Sequence, residues 1–204
     1  MGIDLEKVIA IAVISLMGAM SPGPDFALVT KNSLSGSFRS GFLTTLGIFA
    51  ALFIHITYCV LGIALIISQS PLIFNIIKYL GAAYLFYLGI MLLKEKSSPS
   101  KSPSKHPQKN RPFLSGFLCN LLNPKATLFI LSLFTQFIDP MMPFWSKFAL
   151  GSIIAFMALL WFTLLTYLIT HSYLNKHFAK FQAIITKVMG VVLCLLSLYV
   201  AFLS

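Results

Sequence analysis

Two charged side chains stand deep inside long apolar stretches, Asp25 in Ser21-Pro22-Gly23-Pro24-Asp25 and Lys125 in Asn123-Pro124-Lys125. Asp25 is the only acidic residue so placed, because Asp4, Glu6, Glu95 and Asp139 fall at or beyond the ends of the apolar runs. A charge at the centre of a bilayer costs at least roughly 2.5 to 3.5 kcal/mol, so both should face a protein interior and be either paired or functional. An anion and a cation at one depth suit a zwitterion. Asp25 would receive an α-ammonium group, while Lys125 and the backbone amides after Asn123 would receive an α-carboxylate. The plainer alternative is an Asp25 that caps its own helix and forms a structural ion pair with Lys125. The two are compatible, since a proton or a ligand would open such a pair.

Both charges follow prolines, and proline dictates the local backbone. It removes an amide donor and clashes with the preceding turn, so an apolar helix that contains it breaks. Ser or Asn before Pro is the order expected at a helix start, with the polar side chain as N-cap and proline in the first helical position. Ser21-Pro22 and Asn123-Pro124 are therefore each expected to open a new helix within an apolar stretch, near the bilayer middle or somewhat toward the cytoplasm. Such starts carry unpaired amides and partial positive charge where broken transmembrane helices commonly meet anionic groups.

The elements that must position these residues are helices in lipid. Of the 204 residues, 58% are hydrophobic and 10% charged, with a mean hydropathy of +0.89, more apolar than a soluble domain of this length hides in one core. Apolar segments run over 5–33, 41–67, 72–93, 113–138, 147–170 and 183–203. Each suits a helix that crosses about 30 Å of hydrocarbon in roughly 20 residues. Backbone amides in lipid must be paired internally, and segments this long are not barrel strands. The expected fold is all-α and integral to the membrane, with about six transmembrane helices. The first segment lacks a positive leading region and a small-x-small cleavage site, so it is expected to be a span and not a signal peptide.

A net charge of +10 raises the question of nucleic acid, but the fifteen Lys and Arg lie mainly in short gaps between apolar runs. That is the positive-inside pattern of a membrane protein, whose surroundings are lipid. Lys31 and Arg39 follow the first segment, Lys94, Lys96, Lys101, Lys105, Lys109 and Arg111 the third, and Lys176 and Lys180 the fifth. The opposite side offers Lys7, Lys78 and Lys147. Both termini are thus expected outside, with those three loops in the cytoplasm.

Residues 94–112, KEKSSPSKSPSKHPQKNRP, have no apolar side chains to offset chain entropy and read as a basic, disordered cytoplasmic linker. It separates a first half, 1–93, from a second, 113–204, and the halves resemble each other. IIKYLGAA from Ile76 to Ala83 aligns with ITKVMGVV from Ile185 to Val192, pairing Lys78 with Lys187 and Gly81 with Gly190 at an offset of 109. At a slightly smaller offset, RSGF from Arg39 falls on WSKF from Trp145. With three helices per half, the second copy must traverse the membrane in the opposite sense, the inverted-repeat plan of many secondary transporters. In both halves the first helix, spans one and four, is the one that proline breaks.

Other polar residues in the spans are secondary candidates. His55 could relay protons, or could serve as an interhelical hydrogen-bond partner. Asn32, Asn120, Gln136 and Tyr58 would line a pathway or act as ordinary glue between helices, and Gly47, Gly62, Gly81 and Gly89 would permit close packing. Cys59, Cys119 and Cys194 have no disulfide or metal-ligand spacing. An intramembrane hydrolase built on Ser21 with His55, or on His171, lacks a nucleophile context, so no enzyme is expected. No GxxxxGK[ST] loop occurs, so neither ATP hydrolysis nor a cofactor is expected.

SPGPDFALVTKNSLSGSFRSGF from Ser21, SPLIFNIIKYLGAAYLFYLGIMLL from Ser70 and NPKATLFILSLFTQFI from Asn123 together resemble the LysE/RhtB family of amino-acid exporters. The likeness covers nearly the whole chain, with its PGPD and NPKA blocks about 100 residues apart. It implies a multi-pass secondary carrier of the bacterial inner membrane that expels amino acids or related metabolites. It also implies a substrate site at Pro22, Gly23, Pro24, Asp25, Asn123, Pro124 and Lys125, with His55 where related members often have histidine. The chain departs from the family at Thr135, where many members have proline before the glutamine, and some members have been described with five spans. Proton antiport is the simplest drive left, with Asp25 as the titrating carboxylate and His55 as second choice. A metal-cation carrier is the alternative, disfavoured because divalent cations want several oxygen ligands. The substrate is a small molecule, and the sequence leaves homo-oligomerisation open.

Overall fold

Proline sets half of the helix starts. The computed structural model describes residues 5–35, 37–69, 71–94, 111–139, 141–171 and 175–203, and among these the chain forms eight helices and no strand. They are α1 (Leu5–Met20), α2 (Pro24–Ser35), α3 (Phe38–Gln69), α4 (Pro71–Lys94), α5 (Pro112–Leu121), α6 (Pro124–Phe137), α7 (Phe144–Thr170) and α8 (Asn175–Leu203). Four of them begin on a proline, whose fixed φ suits a first helical residue and whose missing amide would have had no partner there.

The breaks fall where proline places them. α1 and α2 meet at 60°, α5 and α6 at 58°. Among the described residues, three unbroken stretches are long and apolar enough to cross a membrane, Phe38–Gly62, Asn75–Lys94 and Phe144–Thr170, and counting each bent pair as one span brings the number to as many as five. α8 is 29 residues long and carries an apolar stretch over Gly190–Tyr199. α6 continues through Thr135, whose hydroxyl donates to the carbonyls of Leu131 (3.1 Å) and Ser132 (3.0 Å), so threonine leaves this helix unbroken to Phe137. Of the basic linker expected over 94–112, positions 95–110 lie outside the described residues.

Part of the packing interchanges between the two halves and part does not. α1 lies on α7 and α5 on α3; α2 touches α7 and α6 touches α3; α2 meets α5 and α1 meets α6. α3 pairs with α7 and α4 with α8. Exchanging α1–α4 for α5–α8 maps each of these contacts onto another or onto itself. By contrast, among the described residues α4 lies on α6 and α2 on α3, while α8 does not pack on α2 in the same way, nor α6 on α7. The core between the halves is wholly apolar at Ile11, Val29, Ala51, Ile56, Leu85 and Leu165. Large apolar side chains also cover the outside, as at Leu72, Leu80, Leu195 and Phe202, an arrangement suited to lipid and not to water.

α3 and α5 approach through paired glycines. A Cβ at Gly47 would strike the Phe113 carbonyl and come within 2.7 Å of the Phe117 amide nitrogen, and one at Gly116 would strike the Thr44 carbonyl. Backbone cannot yield as a side chain does, so Gly47→Val or Gly116→Val is expected to cost about 1–3 kcal/mol by overpacking. In detergent this should lower the unfolding midpoint by about 5 °C. Gly62 does not have the packing role expected of it: among the described residues nothing lies within 4 Å of its would-be Cβ, so Gly62→Ala should not lower the midpoint.

Candidate functional site

The two breaks are built differently. At the first, the Ser21 amide still donates to the carbonyls of Met17 (3.1 Å) and Gly18 (3.2 Å), while the first bond of α2 runs from the Ala27 amide to the Gly23 carbonyl at 2.9 Å. Ser21 thus closes α1 and does not cap α2, contrary to the sequence expectation, because the second proline, Pro24, takes the first helical position. At the second break Asn123 is the expected N-cap. Its Oδ1 accepts from the Lys125 amide at 3.0 Å, Pro124 follows it, and its carbonyl accepts from the Thr127 amide at 3.2 Å.

Each charge is held by the other break. The Lys125 ammonium donates to the Ser21 hydroxyl and to the Pro22 carbonyl, the latter at 2.7 Å. A Cβ at residue 23 would lie 3.2 Å from that ammonium, so glycine there leaves it room. Asp25 Oδ2 in turn accepts from Asn120 Nδ2 at 2.9 Å and Asn123 Nδ2 at 3.1 Å. The Asp25 and Lys125 charges act on one another electrostatically. Asp25 Oδ1, Asn120 Oδ1 and Ser15 Oγ are buried with no hydrogen bond of ordinary geometry; the weakly donating Cys119 thiol is the neighbour of the carboxylate.

These groups face a small cavity, with about 70 Å³ open to water-sized molecules. Gly23, Asp25, Asn123 and Lys125 line it, and so do Ser15, Ser21 and Asn120. Both helix starts, with their partial positive charge, therefore open onto the same space. Pro22, Pro24 and Pro124 do not line it: they shape the breaks, and Pro22 also lends its carbonyl to Lys125.

His55 is almost wholly buried and lies outside the cavity, behind Asn120. Its Nε2 faces the Asn120 carbonyl at 3.2 Å, which only accepts, so this nitrogen carries the proton and Nδ1 accepts from the Tyr58 hydroxyl. Asn32 donates to the Thr44 hydroxyl at 2.7 Å and serves as glue between α2 and α3. Gln136 is outside the cavity, its amide buried without a partner. Among the described residues no three of His, Cys, Asp and Glu converge as metal ligands would. Asn120 is the residue whose importance the sequence understated. The available signal was a polar side chain one turn ahead of Asn123 in an otherwise apolar run.

A multi-pass helical membrane protein whose two broken helices bring opposite charges to one internal cavity is, by architecture, a transporter. Residues 16–204 match the LysE type translocator, and the chain belongs to the LysE family. It is 32% identical over 200 residues to the "Uncharacterized membrane protein YrhP" of Bacillus subtilis (strain 168), covering 93% of this chain and 95% of that one. It is 30% identical over 158 residues to the "Threonine efflux protein" of Salmonella typhi, covering 75% and 77%. With the "Leucine efflux protein" of Salmonella choleraesuis (strain SC-B67) it shares 36% over 126 residues, covering 60% and 58%. No solved structure matches the chain.

Proposed function

We propose that this protein is a secondary carrier that exports amino acids, or closely related small zwitterions, across the bacterial inner membrane, driven by proton entry. The observation that carries this reading is the cross-bracing of Asp25 and Lys125: two opposite charges, one from each half, on the wall of one cavity. A zwitterion that enters finds an acceptor in Asp25 Oδ1, free of any ordinary donor, and a cation in Lys125. The threonine and leucine efflux relatives support the cargo class.

Six spans arranged as two inverted repeats, 1–93 and 113–204, give these groups a common depth. α1 covers about 24 Å before its break and α5 about 15 Å, at 1.5 Å per residue. Entering from opposite sides, they meet when the two together nearly equal a bilayer with its headgroups, roughly 40–45 Å. α8, at about 43 Å, is long enough to supply the sixth span, and those contacts that interchange between the halves, α1 on α7 with α5 on α3 among them, are what a two-fold axis in the membrane plane would produce. The Lys and Arg of 94–112 support a cytoplasmic position for that linker.

In the transport cycle a proton on Asp25 neutralises the carboxylate, releases the substrate ammonium and leaves toward the cytoplasm before the next substrate binds. His55 acts on this site through Asn120, which it positions by its hydrogen bond. His55→Gln, whose amide can still donate to that carbonyl, should retain proton-driven export. His55→Leu should slow it roughly tenfold, the effect of one buried unmade hydrogen bond. Both are read as efflux from loaded cells against an imposed pH step.

The reading as a whole is tested by counterflow in proteoliposomes of the purified protein. Preloaded with an unlabelled amino acid mixture, they should accumulate external radiolabelled amino acid above protein-free vesicles. Equal uptake in both would remove the reading.

A further inference from the structure

We propose that the cavity selects neutral amino acids with an aliphatic side chain and excludes those with a charged one, an inference that rests on the zwitterion reading above. The polar groups of the wall gather on one side. Ser21, Asp25, Asn120, Asn123 and Lys125 all belong to the breaks, and they include one charge of each sign. A bound α-ammonium and α-carboxylate use both charges. The rest of the wall is mostly apolar, from α3, α4 and α7 at Leu52, Leu88, Leu92, Ile154 and Phe162 and from α6 itself at Phe129. Among the described residues, no second carboxylate and no second cation lines it.

The side chain of a substrate held at the breaks must lie against these carbons. For lysine, arginine or glutamate that means a charge in an apolar, lipid-enclosed wall, which corresponds to a loss of roughly a hundredfold or more in affinity. For leucine, isoleucine or valine it means displacing water from apolar surface, each well-fitted methylene contributing roughly tenfold or more. One hydroxyl, Ser15, interrupts the apolar wall, buried and without a partner. It stands six residues before Ser21, roughly 9 Å along the helix axis, beyond reach of a β-hydroxyl two bonds from the substrate α-carbon. The wall therefore does not favour threonine over valine.

Phe129 sets the size of this compartment. A Cβ at Gly18 would come within 2.5 Å of the Phe129 ring, so the ring rests directly on the backbone of α1 and closes the space between α1 and α6. Shortening that side chain should lengthen the compartment.

The test is counterflow in proteoliposomes of the full chain, with leucine, isoleucine, valine, threonine, phenylalanine, lysine, arginine and glutamate each offered radiolabelled. Leucine, isoleucine and valine should enter within about tenfold of one another, and lysine, arginine and glutamate at least about a hundredfold more slowly. Phe129→Leu should raise phenylalanine relative to valine by about tenfold. Lysine, arginine or glutamate entering as fast as leucine would overturn the side-chain inference while the zwitterion reading stands, as would threonine entering far faster than valine. An unmoved phenylalanine-to-valine ratio in a Phe129→Leu protein that still carries leucine would overturn the compartment assigned to Phe129. Failure of all eight labels to enter would overturn both readings together.

Discussion

Asp25→Asn is expected to reduce amino-acid counterflow roughly a hundredfold or more while the protein still folds. Asparagine has nearly the shape of aspartate, and its carbonyl oxygen can accept from Asn120 and Asn123 as Oδ2 does now. What it lacks is the charge that receives an ammonium group. Truncating one partner of a buried hydrogen-bonded charge pair costs about 2–5 kcal/mol, some thirtyfold to several thousandfold in affinity. An amide also takes up no proton at physiological pH, so residual export in the variant should no longer respond to an imposed pH step. Both effects are read in the same vesicles, with the thermal unfolding midpoint in detergent as the check on folding. Transport by Asp25→Asn at the wild-type rate would remove Asp25 from the site.

Lys125→Met is expected to damage both stability and transport. The variant strips the Ser21 hydroxyl and the Pro22 carbonyl of their donor and leaves Asp25 without the cation that acts on it. Removing a charged donor from its acceptors costs about 1.5–3 kcal/mol, and the half-buried Asp25 carboxylate is stranded without the cation that acts on it. Adding Asp25→Asn removes that stranded charge. The double variant should therefore unfold at a higher temperature than Lys125→Met alone, yet remain inactive. The non-additivity is the coupling energy between the two residues. If the two single effects on the midpoint simply add, the charges do not depend on one another and the cross-bracing has no energetic content.

The parts of the fold that follow from local chemistry were legible in the sequence. Long apolar runs become helices in lipid whatever their tertiary partners, and proline breaks a helix by steric means that need no context. The bends at Pro24 and Pro124 and the Asn123 cap are of this kind. The start of α2 was misjudged because Pro22 and Pro24 compete for one role, and the winner depends on Ser21 staying bonded to the turn behind it.

What could not be read was anything requiring two distant segments at once. Asn120 and Asp25 are 95 positions apart, and their bond exists only because α5 and α2 pack together. Nor does an isolated histidine announce that its partner is the backbone of another helix, as His55 does with Asn120 across 65 positions. Gly62 looks in sequence like Gly47, but only the latter faces a helix close enough to need the missing side chain. Asp25 and Lys125 were nonetheless conspicuous in advance. A charge in an apolar run is expensive enough to need a reason, and here each lies within reach of the other break.

In the proposed function one cavity holds both ends of a zwitterion, the ammonium at Asp25 and the carboxylate at Lys125. Counterflow of radiolabelled leucine into proteoliposomes, measured with excess N-acetyl-leucine, leucine amide or unlabelled leucine outside, addresses it most directly. The first analogue has no ammonium group and the second no carboxylate, while both keep the side chain. Unlabelled leucine should suppress uptake fully and each analogue should require roughly a hundredfold higher concentration. Suppression by N-acetyl-leucine or leucine amide at the concentration that suffices for leucine itself would contradict the account.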